Sequence, residues 1–305
     1  MTGAAIAVEP KTGRYESLEQ AVVDGGGEIV SIDHAAGLVW ADPTVPHELP
    51  SVLERAPQVK WVGLPFAGIE PYVPYLDHDR VWTCARGVYA RPVAEHVLAC
   101  GLAGLRAVVH YARTDRWSAH AGRNLIDGNI VIFGAGGITS ELLVLLEGFG
   151  CTTTVVRRQA TPMPGAARTV TLDERLEVLG DADLVVLALA LTPETDGVIG
   201  AAELDAMADH AWLVNVARGA HIDTNALVTA LRRGAIAGAC VDVTDPEPLP
   251  DGHPLWSMPN VLVTPHVGNT EEMGVPLLAA HIERNVTHFA RGETLEGIVD
   301  PEAGY

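Results

Sequence analysis

The strongest constraint on the fold is an alternation of short apolar runs with longer helix-like segments along most of the chain. Several runs are apolar at successive positions, which is typical of strands covered by helices on both faces. Such alternation predicts α/β layers built on parallel sheets. The predicted strands are 4–8, 28–31, 38–40, 59–63, 81–84, 130–133, 152–156, 184–189, 212–216 and 238–241.

The length predicts two domains, because 305 residues exceed one ordinary core. With 48% hydrophobic and 19% charged residues, the chain can bury a large interior and is not expected to be disordered. A helix predicted at 91–106, with Pro92 in its first turn, leads from a first sheet toward a second. Another, Glu271–Arg291, ends before Gly292 and leads back. We therefore expect two doubly wound domains, with 98–275 inserted into a domain formed by 1–97 and 276–305.

Charge argues against several classes of partner. Lys and Arg total 20 against 39 Asp and Glu, a formal charge of −19 that repels phosphate backbones and anionic lipid. No nucleic-acid or membrane partner is expected. The most apolar helix-like stretch, 93–109, contains Glu95, His96 and Arg106, so it is not expected to span a membrane, and no targeting segment is evident.

The cysteines are widely separated and form no Cys-x-x-Cys pair, so we expect no metal site. Scattered thiols favour a reducing, cytoplasmic location over a disulfide framework. The four are Cys84, Cys100, Cys151 and Cys240.

A nucleotide site is predicted where a strand, a glycine turn and a helix follow one another at 129–150. Gly134 allows the tight turn, and Gly136 lets backbone N–H groups approach a pyrophosphate. Gly137 and Ile138 then begin the helix. The third position of the G-x-G-x-x-G pattern is Thr139, which weakens the motif. A plain βα turn is the alternative.

The end of the next strand bears on cofactor choice. Arg157 and Arg158 lie where an NAD site carries an acidic residue for the ribose 2′-hydroxyl. Guanidinium groups there favour the 2′-phosphate of NADP(H). The alternative is that they are solvated surface arginines, which leaves NAD(H) open.

Three further segments, 213–219, 241–250 and 263–270, each follow a short apolar run. Ligands of open α/β sheets bind at the carboxyl ends of strands, so one arginine, one glutamate and one histidine are expected to converge there. These residues are Arg218, Glu247 and His266.

From about residue 59 onward, the sequence resembles the D-isomer-specific 2-hydroxyacid dehydrogenases. The order and spacing of several motifs carry the resemblance, whereas the first 58 residues match only in pattern. It implies a Rossmann nucleotide domain inserted into a flavodoxin-like substrate domain. Besides the glycine turn, the motifs are Trp61-Val-Gly-Leu-Pro-Phe-Ala-Gly-Ile-Glu70, Val93-Ala-Glu-His96, Leu191-Thr-Pro-Glu-Thr-Asp-Gly-Val-Ile-Gly200, Ala217-Arg-Gly219, Val241-Asp-Val…Glu247-Pro, Pro265-His266 and Gly297-Ile-Val-Asp-Pro-Glu-Ala-Gly-Tyr305.

The resemblance assigns the chemistry residue by residue. Arg218 would grip the substrate carboxylate through two parallel N–H bonds, and His266 would exchange a proton with the substrate oxygen. Glu247 would orient the imidazole and favour its charged form. Singly, each could be a surface, turn or loop residue, but their joint occurrence in the family's order favours catalysis. Asp242 would bond the nicotinamide carboxamide, and Thr192 and Val216 would complete the cofactor site.

The resemblance also places substrate contacts in the loop 64–69. Backbone N–H groups near Ala67 and Gly68 would bind the carboxylate. The residues predicted to line the pocket for the substrate side chain are Pro65, Phe66, Tyr89 and Arg91, and the alternative for Arg91 is a cation at the helix start that faces water. This loop differs from the family's usual glycine-rich loop, and Ala190 replaces a frequent proline, so glyoxylate, hydroxypyruvate and bulkier keto acids all remain candidates.

The expected function is an NAD(P)-dependent oxidoreductase that interconverts a small 2-keto acid and its D-2-hydroxy acid, as a homodimer paired through 93–109 and 117–125. A non-enzymatic, dinucleotide-sensing binding protein is the alternative, since corepressor relatives keep the same three residues. Formate dehydrogenases use glutamine at the position of Glu247, which disfavours that activity. Physiological direction stays open.

Overall fold

The computed structural model describes residues 3–302, so the end of the 297–305 motif lies outside the described residues. The chain forms two compact units, Met1–Tyr89 with Thr270–Tyr305, and Ala90–Asn269. These boundaries fall earlier than the expected 97/98 and 275/276. The reason is that each connecting helix belongs as a whole to one unit.

The first unit contains a five-stranded parallel sheet of order β2-β1-β3-β4-β5, which is the flavodoxin order. Apolar clusters cover both faces, and Trp40, Trp61 and Trp82 are fully buried. The strands are β1 (Ala5–Glu9), β2 (Glu28–Ile29), β3 (Gly37–Trp40), β4 (Trp61–Gly63) and β5 (Val81–Thr83), and the first two helices are α1 (Tyr15–Asp24) and α2 (Leu49–Glu54).

The second unit contains a seven-stranded parallel sheet with helices on both faces. Its strands are β6 (Asn129–Phe133), β7 (Thr152–Arg157), β8 (Arg168–Thr171), β9 (Leu184–Leu187), β10 (Trp212–Asn215), β11 (Gly238–Val241) and β12 (Val261–Val263). Their order, β12-β11-β10-β9-β6-β7-β8, is the Rossmann order with one added strand. The predicted fold class is therefore confirmed.

The helices of the second unit are α3 (Ala90–Leu105), α4 (Val108–Tyr111), α5 (Gly137–Leu146), α6 (Arg175–Leu179), α7 (Ala201–Ala206), α8 (Thr224–Arg233) and α9 (Pro254–Ser257). The final helix, α10 (Glu271–Arg291), returns to the first unit and packs against α1. Short 3₁₀ helices lie at Ile32–His34, Pro46–Glu48, Glu70–Tyr75, Glu147–Phe149, Leu172–Glu174 and Gly219–His221.

The predicted strands do not include β8, one of the two edge strands of the larger sheet, whereas the other edge strand, β12, is the apolar run that precedes the predicted segment 263–270. An edge strand has a neighbour on one side only and does not need a continuous apolar run. In β8, only Val170 is buried, and its polar neighbours conceal the strand. Within residues 3–302, no helix is both long and apolar enough to cross a membrane.

Candidate active site

The turn after β6 brings backbone N–H groups toward open space. Gly134 has φ +106°, and a Cβ there would lie 2.2 Å from the carbonyl oxygen of Ala188, so glycine is required. Gly136 precedes α5, which begins with Gly137 and Ile138. A Cβ added at Gly136 would meet no described atom within 4 Å. The free N–H groups at the start of α5 therefore face a space suited to a phosphate.

Thr139, at the position of the motif's third glycine, is completely buried. Its hydroxyl donates a hydrogen bond of 2.9 Å to the carbonyl oxygen of Gly134. The helix is thereby tied to the turn without a glycine, and the departure from the motif leaves the turn geometry intact.

The two arginines occupy the end of β7, the strand next to β6. Arg157 is the last residue of β7, and its Nη1 donates to the carbonyl oxygen of Thr161 at 3.3 Å. Arg158, the next residue, is exposed. The Thr192 hydroxyl lowers the pKa of Glu194, and the charge of Arg158 acts in the same direction. Both cations thus lie one strand from the glycine turn.

The loop after β9 is held by hydrogen bonds that the sequence analysis did not identify. The backbone N–H of Thr192 donates to Thr195 Oγ1 at 2.8 Å, and that hydroxyl donates to the carbonyl oxygen of Ala190, also at 2.8 Å. His221 is fully buried, with its ring nitrogens 2.9 Å from the Thr195 carbonyl oxygen and 3.2 Å from that of Leu189. Burial lowers the pKa of His221. This network defines the backbone where the frequent proline is missing.

Arg218 is carried by a turn that a buried amide closes. Asn215 Oδ1 accepts from the N–H of Ala217 at 3.0 Å, and Nδ2 donates to the carbonyl oxygen of Arg218 at 2.9 Å. Next to it, a Cβ added at Gly219 would lie 2.0 Å from the carbonyl carbon of Thr244. Glycine there lets the loops after β10 and β11 touch. The partly buried Arg218 also donates from Nη1 to the Ala217 carbonyl oxygen at 2.7 Å.

The histidine and the glutamate form a direct pair. His266 Nδ1 lies 2.7 Å from Glu247 Oε1, and both side chains are partly exposed. Glu247 Oε2 also accepts from the N–H of Thr244 at 3.3 Å. Because Nδ1 is bonded to the carboxylate, Nε2 is the nitrogen left to meet a substrate.

Asp242 is nearly buried and accepts several hydrogen bonds. The donors are the Thr264 hydroxyl at 2.6 Å and the N–H groups of Val267 and Gly268, both at 2.9 Å, while His96 Nε2 lies 3.4 Å from Oδ1. Burial alone would raise the pKa of Asp242, but these hydrogen bonds outweigh it and lower the pKa to about 2. Most of the carboxylate's accepting capacity is thus used within the protein.

The sequence-predicted residues of the second unit follow neighbouring strands, at the end of the larger sheet where the carboxyl ends of the strands lie. Val216 is buried there, with its N–H bonded to the Leu187 carbonyl oxygen at 3.3 Å. In the order of the strands, His266 follows β12, Asp242 and Glu247 follow β11, Val216 and Arg218 follow β10, Thr192 follows β9, Gly134 follows β6, and Arg157 ends β7. Because neighbouring strands lie about 4.8 Å apart, these residues form a row from the His266–Glu247 pair to Arg157 and Arg158.

The predicted substrate residues Phe66, Ala67 and Gly68 lie after β4 in the first unit. The Phe66 and Tyr89 rings pack edge-to-face with centroids 6.4 Å apart, and the Tyr89 hydroxyl donates to the Pro65 carbonyl oxygen at 2.7 Å. Burial raises the pKa of Tyr89 to about 12. Arg91, by contrast, is an exposed residue in the first turn of α3.

Arg14 is an additional cation beside this loop that the sequence analysis did not identify. Its guanidinium carbon lies 4.9 Å from the centroid of the Phe66 ring, in a cation–π arrangement. The side chain is 11% exposed, and Nε lies 3.4 Å from Glu271 Oε1. No motif marks this position, because the contact joins residues far apart in the chain.

In the part of the chain that the structure describes, no group of three or more His, Cys, Asp or Glu side chains is placed to hold a metal ion. The fold and the phosphate-binding turn define a dinucleotide-binding protein. The family model for the D-isomer specific 2-hydroxyacid dehydrogenase NAD binding domain matches residues 98–268. The chain belongs to this family.

Two curated proteins are similar to the chain in sequence. The chain is 38% identical over 294 residues to an uncharacterized protein of Corynebacterium melassecola, covering 93% of this chain and 95% of that protein. It is 34% identical over 175 residues to glyoxylate/hydroxypyruvate reductase A of Citrobacter koseri. That second alignment spans 57% of this chain and 55% of the reductase.

Two solved structures resemble the whole chain. A D-isomer specific 2-hydroxyacid dehydrogenase from Xanthobacter autotrophicus, in complex with NADPH and MES, has a TM-score of 0.84 at 27% identity and full coverage of both chains. The NADPH-dependent glyoxylate/hydroxypyruvate reductase of Sinorhizobium meliloti, in complex with NADP and sulfate, has a TM-score of 0.83 at 26% identity. That match covers 99% of this chain and 100% of the reductase.

Proposed function

We propose that the protein is an NAD(P)-dependent oxidoreductase that interconverts a small 2-keto acid and its D-2-hydroxy acid. The observation that carries this proposal is the 2.7 Å pair between His266 and Glu247, on the same sheet edge as Arg218 and the glycine turn. The names of the relatives, glyoxylate/hydroxypyruvate reductases, support a small 2-keto acid as substrate.

The roles of the three side chains follow from their chemistry. Arg218 would bind the substrate carboxylate through two parallel N–H bonds, which orients the carbonyl group. Glu247 would hold Nδ1 of His266, so that Nε2 donates a proton to the keto oxygen during reduction and recovers it during oxidation. Asn215 and Gly219 would act indirectly by shaping the turn that carries Arg218.

The cofactor site fits a nicotinamide dinucleotide, which would supply or accept the hydride. Gly134, Gly136, Gly137 and Ile138 would bind the pyrophosphate through the start of α5, with Thr192, Val216 and Asp242 nearer the nicotinamide. Arg157 and Arg158 would bind the 2′-phosphate, which favours NADP(H) over NAD(H). If the two arginines are solvated surface residues instead, NAD(H) is the alternative.

Substrate selection would involve the first unit. The N–H groups near Ala67 and Gly68 would bind the substrate carboxylate, and Phe66 and Tyr89 would contact the substrate side chain. The edge-to-face packing of these rings and the hydrogen bond from Tyr89 to Pro65 support a loop of defined shape.

One experiment tests both activity and cofactor choice. Oxidation of NADPH and of NADH is followed by absorbance against glyoxylate, hydroxypyruvate, pyruvate and bulkier 2-keto acids. We expect turnover with at least one acid and a higher kcat/KM for NADPH, and we expect the double variant Arg157→Ala/Arg158→Ala to lose that cofactor preference. Tight NADPH binding without turnover of any acid would favour the dinucleotide-sensing binding protein instead.

Assembly and location remain part of the proposal. We expect a cytoplasmic homodimer formed through 93–109 and 117–125. In the second unit, Trp117 is 94% exposed and Val108 and Ile126 are more than half exposed, which supports a covering partner in this region. All four cysteines are free, which is compatible with a reducing compartment. A monomer in light scattering would contradict the dimer.

A further inference from the structure

His96, on helix α3, contacts the loop that carries His266 although it lies 168 residues before Thr264. Its side chain is 19% exposed, and Nε2 lies 3.2 Å from Thr264 Oγ1 and 3.4 Å from Asp242 Oδ1. The hydrogen bond to Asp242 raises the pKa of His96 to about 10. At neutral pH, this histidine is a cation beside a carboxylate.

The three side chains have a defined donor and acceptor order. The Thr264 hydroxyl donates its proton to Asp242 Oδ1 at 2.6 Å, so its oxygen is available to accept the N–H of His96. A chain of hydrogen bonds therefore runs from His96 through Thr264 to Asp242. The short, charge-assisted bond at its end is the strongest link.

Asp242 in turn holds the backbone around His266. Its carbonyl oxygen accepts the N–H of His266 at 2.8 Å, and its carboxylate accepts the N–H groups of Val267 and Gly268. His266 has φ +53°, a left-handed conformation that is unfavourable for a residue with a Cβ. Such a conformation persists only where surrounding contacts enforce it, and here those contacts converge on Asp242.

We propose that His96 is a positioning residue for His266, acting through Thr264 and Asp242 to hold the strained backbone of the loop 264–268. The inference rests on the proposed acid/base role of His266. Removal of the imidazole leaves Thr264 without its donor and Asp242 with a less compensated buried charge. The loop then relaxes, and Nε2 of His266 loses its alignment.

The test separates this role from a contribution to stability alone. His96→Leu removes the donor, whereas His96→Gln retains an N–H at a similar reach. His281 supplies the matched control: it is another buried histidine beside a carboxylate, with Nδ1 3.3 Å from Glu296 in the first unit. Steady-state kinetics, NADPH binding and melting temperature are measured for His96→Leu, His96→Gln and His281→Leu.

We expect His96→Leu to lower kcat by about 10- to 100-fold, as removal of supporting partners commonly does. NADPH affinity changes much less, and His96→Gln recovers most of the kcat. His281→Leu lowers the melting temperature without this loss of kcat. Wild-type kcat in His96→Leu, or a His96→Gln variant as slow as His96→Leu, would overturn the proposal.

Two further measurements keep the outcome decisive. Thr264→Val keeps the shape of threonine without its hydroxyl, whereas Thr264→Ser keeps the hydroxyl without the methyl group, and only the serine variant should keep the rate. Proton NMR follows the imidazole Hε1 of His266, assigned as the signal missing in His266→Gln. This signal should shift in His96→Leu and return toward its position in His96→Gln. If the proposed function is wrong, the wild-type protein itself shows no turnover. If the His266 Hε1 signal does not shift in His96→Leu, the positioning role of His96 is contradicted whatever the activity.

Discussion

The loops at the carboxyl ends of the strands are stabilised by different contacts in the two sheets. In the second unit, buried Asn215, His221 and Asp242 contact the backbone of neighbouring loops at 2.9 to 3.2 Å, and the Asp242 carboxylate alone accepts two of these hydrogen bonds. In the first unit, the loop after β4 accepts hydrogen bonds from the Tyr89 hydroxyl and from the N–H of Ala85, and the Phe66 ring adds contacts with Tyr89 and Arg14 that involve no buried polar side chain of the loop itself.

The two kinds of loop are suited to the different tasks that we propose for them. Hydride and proton transfer require fixed distances, and buried polar groups have few alternative arrangements once every partner is satisfied. Substrate selection depends on the shape and polarity of side chains, which can change without disturbing the backbone. We therefore expect substitutions on the larger sheet to affect rate and stability, and substitutions on the smaller sheet to affect preference.

The largest effect is expected for His266→Gln. Glutamine has no titratable nitrogen, so kcat should fall by about 10² to 10⁴-fold, the usual contribution of a general acid or base. Steady-state kinetics with the best keto acid provide the measurement, and intact NADPH binding serves as the control for folding. A kcat close to that of the wild type would exclude His266 from the mechanism. It would also contradict the expectation that substitutions on the larger sheet affect the rate.

Arg218→Lys should have the next largest effect. Lysine keeps the charge but cannot form two parallel bonds to a carboxylate, so kcat/KM should fall by about a hundredfold, mainly through KM. Arg232→Lys, in the last turn of α8, is a matched control of the same chemical change. Equal kinetics for the two variants would show that Arg218 does not bind the carboxylate.

Asp242→Asn should reduce stability in a pH-dependent manner. Because the pKa of Asp242 falls from 3.8 to about 2, the carboxylate stabilises the fold above pH 4 by about 2 kcal/mol, and this contribution is lost as the pH falls through 2. The pKa of His96 is raised from 6.5 to about 10, so its contribution is full below pH 6.5 and is lost as the pH rises through 10.

Urea unfolding of wild type and Asp242→Asn between about pH 2 and pH 11 measures both changes. Asp42→Asn provides the comparison on the smaller sheet, where the Thr44 hydroxyl and N–H lower the pKa of a more exposed carboxyl. We expect a smaller loss of stability there. Equal losses of unfolding free energy in Asp242→Asn and Asp42→Asn would contradict the expectation that buried polar groups contribute more to stability on the larger sheet.

The smallest effect on overall rate is expected for Phe66→Ala. Loss of the ring should change kcat/KM by about tenfold for individual acids, with a different sign for small and bulky ones. The order of preferred 2-keto acids is compared with that of the wild type. An unchanged order would exclude Phe66 from the substrate pocket.

Much of the fold was predictable because strands and glycine turns are encoded locally. Apolar runs identified the central strands, and Gly292 marked the end of α10, where it adopts φ +66°. The edge strand β8 was missed because its sequence, Arg168–Thr171, has a single buried apolar residue, whereas the apolar run of β12 had been noted before the segment 263–270. The domain boundaries were displaced because sequence does not reveal which unit a connecting helix packs against.

Some residues of the candidate site could likewise be predicted from the sequence and others could not. Arg218, Glu247 and His266 could be identified by motif order, and their roles remain predictions. Arg14, Asn215 and His221 were missed because lone polar residues in a sequence resemble surface residues. His96 lies in the predicted connecting helix, but its contacts to Asp242 and Thr264 appear only once α3 packs against β10 and β11.

The sequence by itself determined the alternation of strands and helices, the glycine turn and the order of the reactive side chains. These features depend on backbone preferences and hydrophobic periodicity, which act over a few neighbouring residues. Only the tertiary structure decided which partners surround Asp242, which cation covers Phe66 and how the left-handed conformation of His266 is held. Such contacts join residues more than a hundred positions apart in some cases, and they depend on how whole strands and helices pack.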